Sequence, residues 1–504
     1  MNTSFTFAAA SWADEDSPIS YEFTYLDEGS GSIMTVQSKS EASYGVTTLP
    51  AGLVSSNNLV KCVLIVYDAL SASDSADASV EVSALAISSS QLSDLIAAQL
   101  SSGEGNVDLT KQVIATASSV LNGVNCTLAP NCTALLRKKC GKKAQTCGEC
   151  ESDKFTGDAG QANTKCISTE VEVVFLEVAG CSTDDDCDLW SECDNVGVGA
   201  TFNCTRKPKE CPGFDCNGQG ACSFVDSAGV SVDTCKQGEI GCSAICTCTG
   251  NFTGSECLVT FEELRQKQAM RTELLTSLSS VTSKENPTAD SMISWSNSLA
   301  ATTQQIDELS TDSIDSITNI AGVVLGNAGG AADAGLAAAD IVGVVGSLGG
   351  VLTLSASADP DQQANESVVG PVTGLVQSYS SLVVSEMVPG QPAVDNIQST
   401  FRTSSQVLGS SSGGLRKSLS SPRSFVETAN NVPSTAIALP NTSSPDSLVD
   451  ASTVIMDASV YNNTAFKSNP LLLSLSAVPC VDPTDPQCNL IFTLYNNDAA
   501  EVDV

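Results

Sequence analysis

The sequence predicts a multidomain protein: an N-terminal all-β sandwich, a disulfide-rich block, a helical bundle and a C-terminal β-domain. Three observations predict it. Eighteen of the 21 cysteines fall between Cys126 and Cys257. Apolar residues alternate with polar ones near both ends of the chain, the period of a half-buried strand, and recur at helical steps between 260 and 386. The chain has 504 residues, length for about three to four domains.

Composition narrows the function. Hydrophobic residues make up 42% but aromatics only 5%, so cores must rest on Val, Leu, Ile and Ala. The net charge of −35 repels nucleic acid, which is not expected as a partner. There is no histidine, the commonest proton shuttle and metal ligand. No nucleophile–base arrangement, phosphate loop or dinucleotide fingerprint stands out. No catalytic residue, metal ligand or cofactor site is therefore assigned, and the expectation is a protein that binds or builds structure. Arg137, Lys138, Lys139, Lys142 and Lys143 form a local basic cluster, read as a solvated loop in preference to a contact for an acidic glycan or a lipid headgroup.

The cysteine density points to an oxidising compartment outside the cytosol. Asn-x-Ser/Thr glycosylation sites at Asn2, Asn125, Asn131, Asn203, Asn251, Asn365, Asn441 and Asn462 point the same way. Residues 1–20 carry Trp12, Asp14, Glu15 and Asp16 and no leader-like apolar run. An exported protein needs a leader, so the chain is expected to be part of something longer. The apolar stretch from Ile314 to Leu354 is interrupted by Asp315, Asp333 and Asp340 and is not expected to span a membrane. Any membrane attachment is expected through segments outside this chain.

Residues 1–88 are expected to form the sandwich. Tyr21, Phe23 and Tyr25 alternate with polar residues, Lys61 to Asp68 reads as a central strand, and Val80 and Val82 as a last strand after a polar turn. Trp12 is expected in the core. The pattern resembles a sandwich domain of the immunoglobulin or fibronectin type. Cys62 has no near partner and is read as a buried free thiol. Residues 89–124 switch to a helical period in two pieces, Leu92 to Leu100 and Val113 to Leu121, around a Gly-Glu-Gly turn at 103–105, and read as a helical connector.

Residues 125–207 form a cysteine-rich region. Cys147 and Cys150 make a C-x-x-C motif, open to structural disulfide, zinc and redox readings, of which structural disulfides are preferred. Asp184, Asp185, Asp186 and Asp188 are read as a solvated turn, because the glycine and glutamate that a calcium loop needs are missing at the required positions. Residues 208–258 carry Cys211-x4-Cys216-x5-Cys222 and Cys246-x-Cys248-x8-Cys257, with Phe252 and Gly254 between the last two. This resembles an epidermal growth factor (EGF)-like module. The resemblance implies the pairs Cys211–Cys222, Cys216–Cys246 and Cys248–Cys257. Cys235 and Cys242 lie inside one interval and could pair with each other as a loop insertion. Pro208, Lys209 and Glu210 replace the acidic cluster of the family's calcium-binding members, so no calcium is expected there. So short a segment with few large apolar side chains cannot build a core alone, and bridges worth about 2–4 kcal/mol each replace it.

Residues 259–388 read as helical. Thr260 with Glu263 forms a capping box, and the first helix should stop at Asn286-Pro287. Met292, Trp295, Leu299, Ile306 and Leu309 form a second apolar stripe, Ile314, Ile317, Ala321 and Val324 a third. The Ala/Gly segment 321–350 should let helices approach closely, and a further helix is expected near 366–386. Residues 389–504 read as β-rich, with short alternating runs at 434–439, 454–460, 471–478 and 490–495. Cys480 and Cys488 are expected to close a small loop across adjacent strands.

The stretch SWADEDSPISYEFTY at 11–25 is similar to the Trp-x-Asp…Pro-x-x-Tyr-x-Phe signature of receptor-for-egg-jelly (REJ) modules, found in polycystin-family membrane proteins. Residues 260–500 resemble in layout the region before the proteolysis site of that family. Without histidine, this chain cannot carry the family's His-Leu-Ser/Thr self-cleavage motif. The resemblance implies a non-enzymatic ectodomain at the cell surface. It would serve as an adhesion or ligand-binding region or a mechanical stalk, with an extracellular protein or glycan as ligand. The alternative is a secreted matrix or cell-wall glycoprotein.

Overall fold

The computed structural model describes residues 3–27, 32–53, 56–83, 88–103, 105–152, 154–158, 160–169, 180–183, 186–187, 190–195, 202–226, 229–239, 241–331, 336–357, 366–408, 418–430, 434, 436–438, 449–456, 471–475, 491–495 and 501–503. In chain order the first elements are β1 (Ser4–Ala8), β2 (Ser20–Asp27), β3 (Ser32–Ser40), β4 (Tyr44–Thr48), β5 (Leu59–Tyr67), β6 (Ser73–Glu81), α1 (Ser89–Ser102) and α2 (Val107–Leu121). The cysteine block holds β7 (Phe155–Thr156), β8 (Ile167–Ser168), β9 (Ser191–Asn195), β10 (Phe202–Arg206), the short turn α3 (Pro212–Cys216), β11 (Gly220–Asp226), β12 (Ser231–Val232), β13 (Cys242–Cys248), β14 (Phe252–Thr253) and β15 (Val259–Thr260). The helices α4 (Phe261–Lys284), α5 (Ala289–Thr303), α6 (Ser313–Ala331), α7 (Val342–Ser357) and α8 (Glu366–Ser385) follow. Last come β16 (Val394–Ile397), β17 (Phe401–Leu408), β18 (Ser418–Ser420), α9 (Phe425–Ala429), β19 (Ala436–Ala438), β20 (Val449–Met456), β21 (Leu471–Leu475), β22 (Ile491–Tyr495) and β23 (Glu501–Asp503).

The chain divides into two compact units that do not follow chain order. The first combines residues 1–125, 261–355 and 370–375. Its main sheet is antiparallel with strand order β3-β2-β5-β6, and β1 pairs with β4 in a second, two-stranded sheet. Phe23, Tyr25, Met34, Val36, Leu49 and Val60 form the sheet core, with Phe7 edge-to-face on Phe23 at 5.8 Å. Ala115 of α2 and Ala301 of α5 belong to the same core. Thr116 of α2 donates to the Thr48 carbonyl at 3.1 Å, and Asn297 of α5 to that of Ile33 at 2.9 Å. The segment read as a connector is thus bonded directly to the sheet, because α2 is apolar enough to be covered on several sides: Val113, Ile114, Ala117 and Leu121 are all buried.

The helices start where the sequence supplies caps. Ser88 and Gln91 form a capping box for α1, Asn106 caps α2, and Thr288 with Ser291 caps α5. Met270, Leu274, Leu275, Leu278 and Val281 make the buried stripe of α4, each worth roughly 1.5–3 kcal/mol when removed from water. Small residues permit the close approach expected of 321–350. A Cβ on Gly343 of α7 would come within 3.0 Å of Ala300 Cβ on α5. Residues 338–355 are long and apolar enough to cross a membrane, as are 367–385. Within the first unit, however, Val344, Val345, Leu348, Val351 and Leu352 are completely buried, so their apolarity serves the protein core.

Two readings of the N-terminal part are corrected. Trp12 is half-buried instead of belonging to the core, because its segment precedes β2 at the sheet end. The polar stretch taken as a turn before Val80 is most of β6, which pairs in register with β5 from Ser73↔Tyr67 to Glu81↔Leu59. As an edge strand, exposed at every position except Val80, it needs no apolar alternation.

The second unit comprises residues 126–260, 356–369 and 376–504. Among the described residues its cysteine block contains short antiparallel pairs, the longest being β11 with β13. Its late part holds two four-stranded antiparallel sheets, ordered β16-β17-β20-β21 and β18-β19-β22-β23. Phe401, Val407, Leu408, Ala451 and Val454 are buried there. The short helix α9 was not foreseen; Ser424 and Glu427 form its capping box.

Candidate functional site

The pairing of Ser20 with Tyr67 brings the segment before β2 against the turn after β5. The Ala69 amide donates to the Asp16 carbonyl at 2.9 Å and fixes the approach. Between them lies a cavity of about 260 Å³, walled by Trp12, Ile19, Val66 and Tyr67, with Asp14, Asp68 and Asp74 on its rim. Carboxylate oxygens of Asp14, Asp16 and Asp68 lie within 4.8 Å of one another. Asp68 Oδ1 accepts from the amides of Leu70 and Ala72, both at 2.8 Å, and Asp14 Oδ1 from that of Asp16 at 2.9 Å. Oxygens so grouped suit a hard cation, though exposed carboxylates also gather without one. An aromatic wall beside carboxylates offers a polar or cationic ligand both a face and acceptors. Sequence reading missed this cluster, since Asp68 reaches Asp14 only through the β2–β5 pairing.

Next to the cavity the sheet holds a half-buried acid. Tyr67 donates to Glu22 Oε2 at 2.9 Å. Burial pushes the Glu22 carboxyl above its ordinary value of 4.5, against the lowering effect of the Tyr67 hydrogen bond. Burial and the neighbouring Glu22 charge push the Tyr67 phenol up as well. Lys39 Nζ lies 4.0 Å from the centre of the Tyr67 ring. Cys62 is half-buried on β5, and burial raises its thiol above the usual range. A thiol held protonated in this way is a poor nucleophile.

Among the described residues nine disulfides hold the cysteine block. Cys126–Cys140, Cys132–Cys147 and Cys150–Cys166 close its first part, Cys181–Cys193 and Cys187–Cys204 the second. Cys211–Cys222, Cys216–Cys246, Cys235–Cys242 and Cys248–Cys257 close the third. The C-x-x-C motif is split between two bridges, Cys147 to Cys132 and Cys150 to Cys166. Its sulfurs are bonded elsewhere and act neither as a redox pair nor as zinc ligands. Cys211, Cys216 and Cys257 form a small sulfur core with Cys246, Cys248, Ala244 and Phe252 around it. Cys480 and Cys488 lie outside the described residues.

The basic cluster is corrected at its first member. Arg137 is 2% exposed, not solvated. Its guanidinium donates to the carbonyls of Gly148 (3.0 Å), Asp158 (3.1 Å), Gly160 (3.2 Å) and Thr164, and to Thr164 Oγ1 at 3.2 Å. The fork of donors gathers loops that have no apolar core. Lys138 and Lys142 pair with Glu149 at 3.4 and 3.6 Å, and Lys143 with Glu256 at 3.5 Å. Two carboxylates, Glu149 and Glu256, therefore offset part of the cluster's charge within the fold. Lys209, just before Cys211, turns inward and donates to the carbonyls of Glu239 (2.9 Å) and Cys242 (2.7 Å). In the acidic run, Asp186 accepts from the amides of Ser182 and Thr183, which lower its carboxyl below the ordinary range. Asp184, Asp185 and Asp188 lie outside the described residues.

Asn125, Asn131, Asn203 and Asn251 are all exposed. Asn2, Asn365, Asn441 and Asn462 lie outside the described residues. No curated protein matches this chain. Residues 1–117, which run from the first strand into α2 and include the cavity, match the family model of the REJ domain.

Proposed function

We propose that this chain is the non-enzymatic extracellular part of a larger membrane protein of polycystin-like type, acting as an adhesion or ligand-binding region or as a mechanical stalk. The REJ match over residues 1–117 carries the reading, since that family is one of non-catalytic ectodomains. Nine disulfides among the described residues support an oxidising compartment. In this reading residues 1–88 are the immunoglobulin-like sandwich and 208–258 an EGF-like module. Cys480 and Cys488 add a further bridge. Asn125, Asn131, Asn203, Asn251, Asn365, Asn441 and Asn462 carry glycans. The ligand is an extracellular protein or glycan, and the cavity beside Trp12 is its first candidate contact.

The test is localisation of the full gene product in its own cells. A membrane-impermeant label should reach it on intact cells. It should stay with the membrane fraction after an alkaline wash, and glycan removal should lower its mass. Recovery in the soluble medium would favour the secreted matrix alternative. A cytosolic, unglycosylated pool with reduced cysteines would overturn both.

A further inference from the structure

Trp190 is 1% exposed and is the largest fully buried side chain of the second unit. Segments from three parts of that unit close on it. Gly238, in the loop bridged by Cys235–Cys242, lies against its face: a Cβ there would fall 2.1 Å from Trp190 Cε3. Gly238 also has φ +74°, so both its backbone and its packing demand glycine. Phe425 of α9 meets the indole edge-to-face at 6.0 Å. The Arg206 guanidinium of β10 lies 5.6 Å from the ring.

Each contact is anchored behind. The Gly238 carbonyl accepts from Asn430 Nδ2 at 2.8 Å, directly after α9. Arg402 of β17 holds α9 through Glu427, with Nη2 to Oε1 at 3.0 Å, and also donates to the Pro422 carbonyl at 2.9 Å. On the other side, the Gln237 amide donates to the Lys207 carbonyl at 2.8 Å, and the Lys207 amide to that of Trp190 at 3.0 Å. Lys209 Nζ closes the base of the loop on the Glu239 and Cys242 carbonyls. The loop is also the insertion by which residues 208–258 depart from the EGF-like cysteine spacing.

We propose that the Cys235–Cys242 loop is a coupling strap. It docks on Trp190 and α9, so that the disulfide modules around β9–β13 and the β17 sheet open and bear load as one body. When the strap is released, the β17 sheet opens independently of the bridged modules. The strap's release from α9 is the first opening step of this unit.

Hydrogen exchange read by mass spectrometry on the full, oxidised chain tests this. In Phe425→Ala/Asn430→Ala, amides of residues 236–239, 401–408 and 425–429 should exchange at least about tenfold faster, while 220–226 and 242–248 stay within about twofold. Asn430→Ala alone removes two hydrogen bonds of an exposed side chain, to the Gly238 carbonyl and to the Val426 carbonyl of α9, and keeps the test open should the double variant not fold. It should give the same pattern at about threefold. Unchanged exchange at 236–239 and 401–408 in Asn430→Ala would overturn the proposal. So would equal acceleration at 220–226, because the strap would then not open as a separate step.

Discussion

Arg271 and Glu308 form a buried pair in the first unit: Nε and Nη2 of Arg271 reach Glu308 Oε2 at 3.0 and 2.6 Å. Arg271 is 0% exposed, so each remaining donor needs a partner inside the fold. It finds the Thr302 carbonyl at 2.8 Å in the last turn of α5, and Asn122 Oδ1 at 3.1 Å at the end of α2. With the Leu121 carbonyl at 3.4 Å, one side chain of α4 therefore reaches a C-terminal carbonyl of each of two other helices, the groups a helix leaves unpaired. Removing the guanidinium leaves Glu308 with Lys267 Nζ, at 2.5 Å from Oε1, as its remaining cation, and strands the Thr302 and Asn122 oxygens inside the fold. Arg271→Ala should destabilise the first unit by about 3–5 kcal/mol in a urea titration followed by helicity. Arg271→Lys keeps the charge but loses the fork and should fall between.

Glu22 sets a pH dependence. Its folded carboxyl titrates above the ordinary value of 4.5, so the folded state holds the proton more tightly. The associated stability is complete below 4.5 and is lost as pH rises through the folded value. Glu22→Gln keeps an acceptor for Tyr67 and removes the half-buried charge. It should be more stable than the wild type at neutral pH, and the difference should shrink to nothing below pH 4.5. Paired melting curves at the two pH values check the sign; equal differences at both would contradict it.

The tryptophans separate surface from core. Trp295 is 0% exposed and donates through Nε1 to Glu285 at 2.8 Å. Trp295→Ala should cost about 3–5 kcal/mol. Trp12→Ala, at the cavity wall, should cost roughly 1 kcal/mol or less, as surface substitutions do. Denaturation midpoints of the two variants give the comparison directly.

In the cysteine block, covalent links substitute for apolar burial. Replacing Cys216 and Cys246 by serine removes a bridge with a sequence separation of 30 and opens the sulfur core. The expected cost is about 2–5 kcal/mol. Proteolysis of the variant should begin within 211–257 and leave residues 3–121 intact.

Periodicity carried most of the elements. The alternation at Tyr21, Phe23 and Tyr25 marks β2, and the stripe from Met292 to Leu299 marks α5, because the large apolar side chains of each element share a face. Where burial was absent the signal was too: β6 is exposed, so its polar residues read as a turn. Apolar stripes located α1 and α5, whose caps at Ser88 and Thr288 the structure added, but α9 is only one turn long and its box at Ser424 and Glu427 had no apolar stripe beside it. The cavity residues Asp14 and Asp68, and the contacts of Arg137 and Trp190, depend on segments far apart in sequence, and no local pattern announces them. The REJ signature was legible because Trp12, Pro18 and Tyr21 are close in sequence and rare in type.

Disulfide mapping of the native protein by mass spectrometry, with free thiols alkylated before unfolding and again under denaturing conditions, is the most direct check. The nine bridges from Cys126–Cys140 to Cys248–Cys257 should be recovered, with Cys62 found as an unbridged thiol that is alkylated faster after unfolding. Reduced cysteines between 126 and 257, or sulfurs ligating zinc, would contradict an extracellular protein held together by its crosslinks.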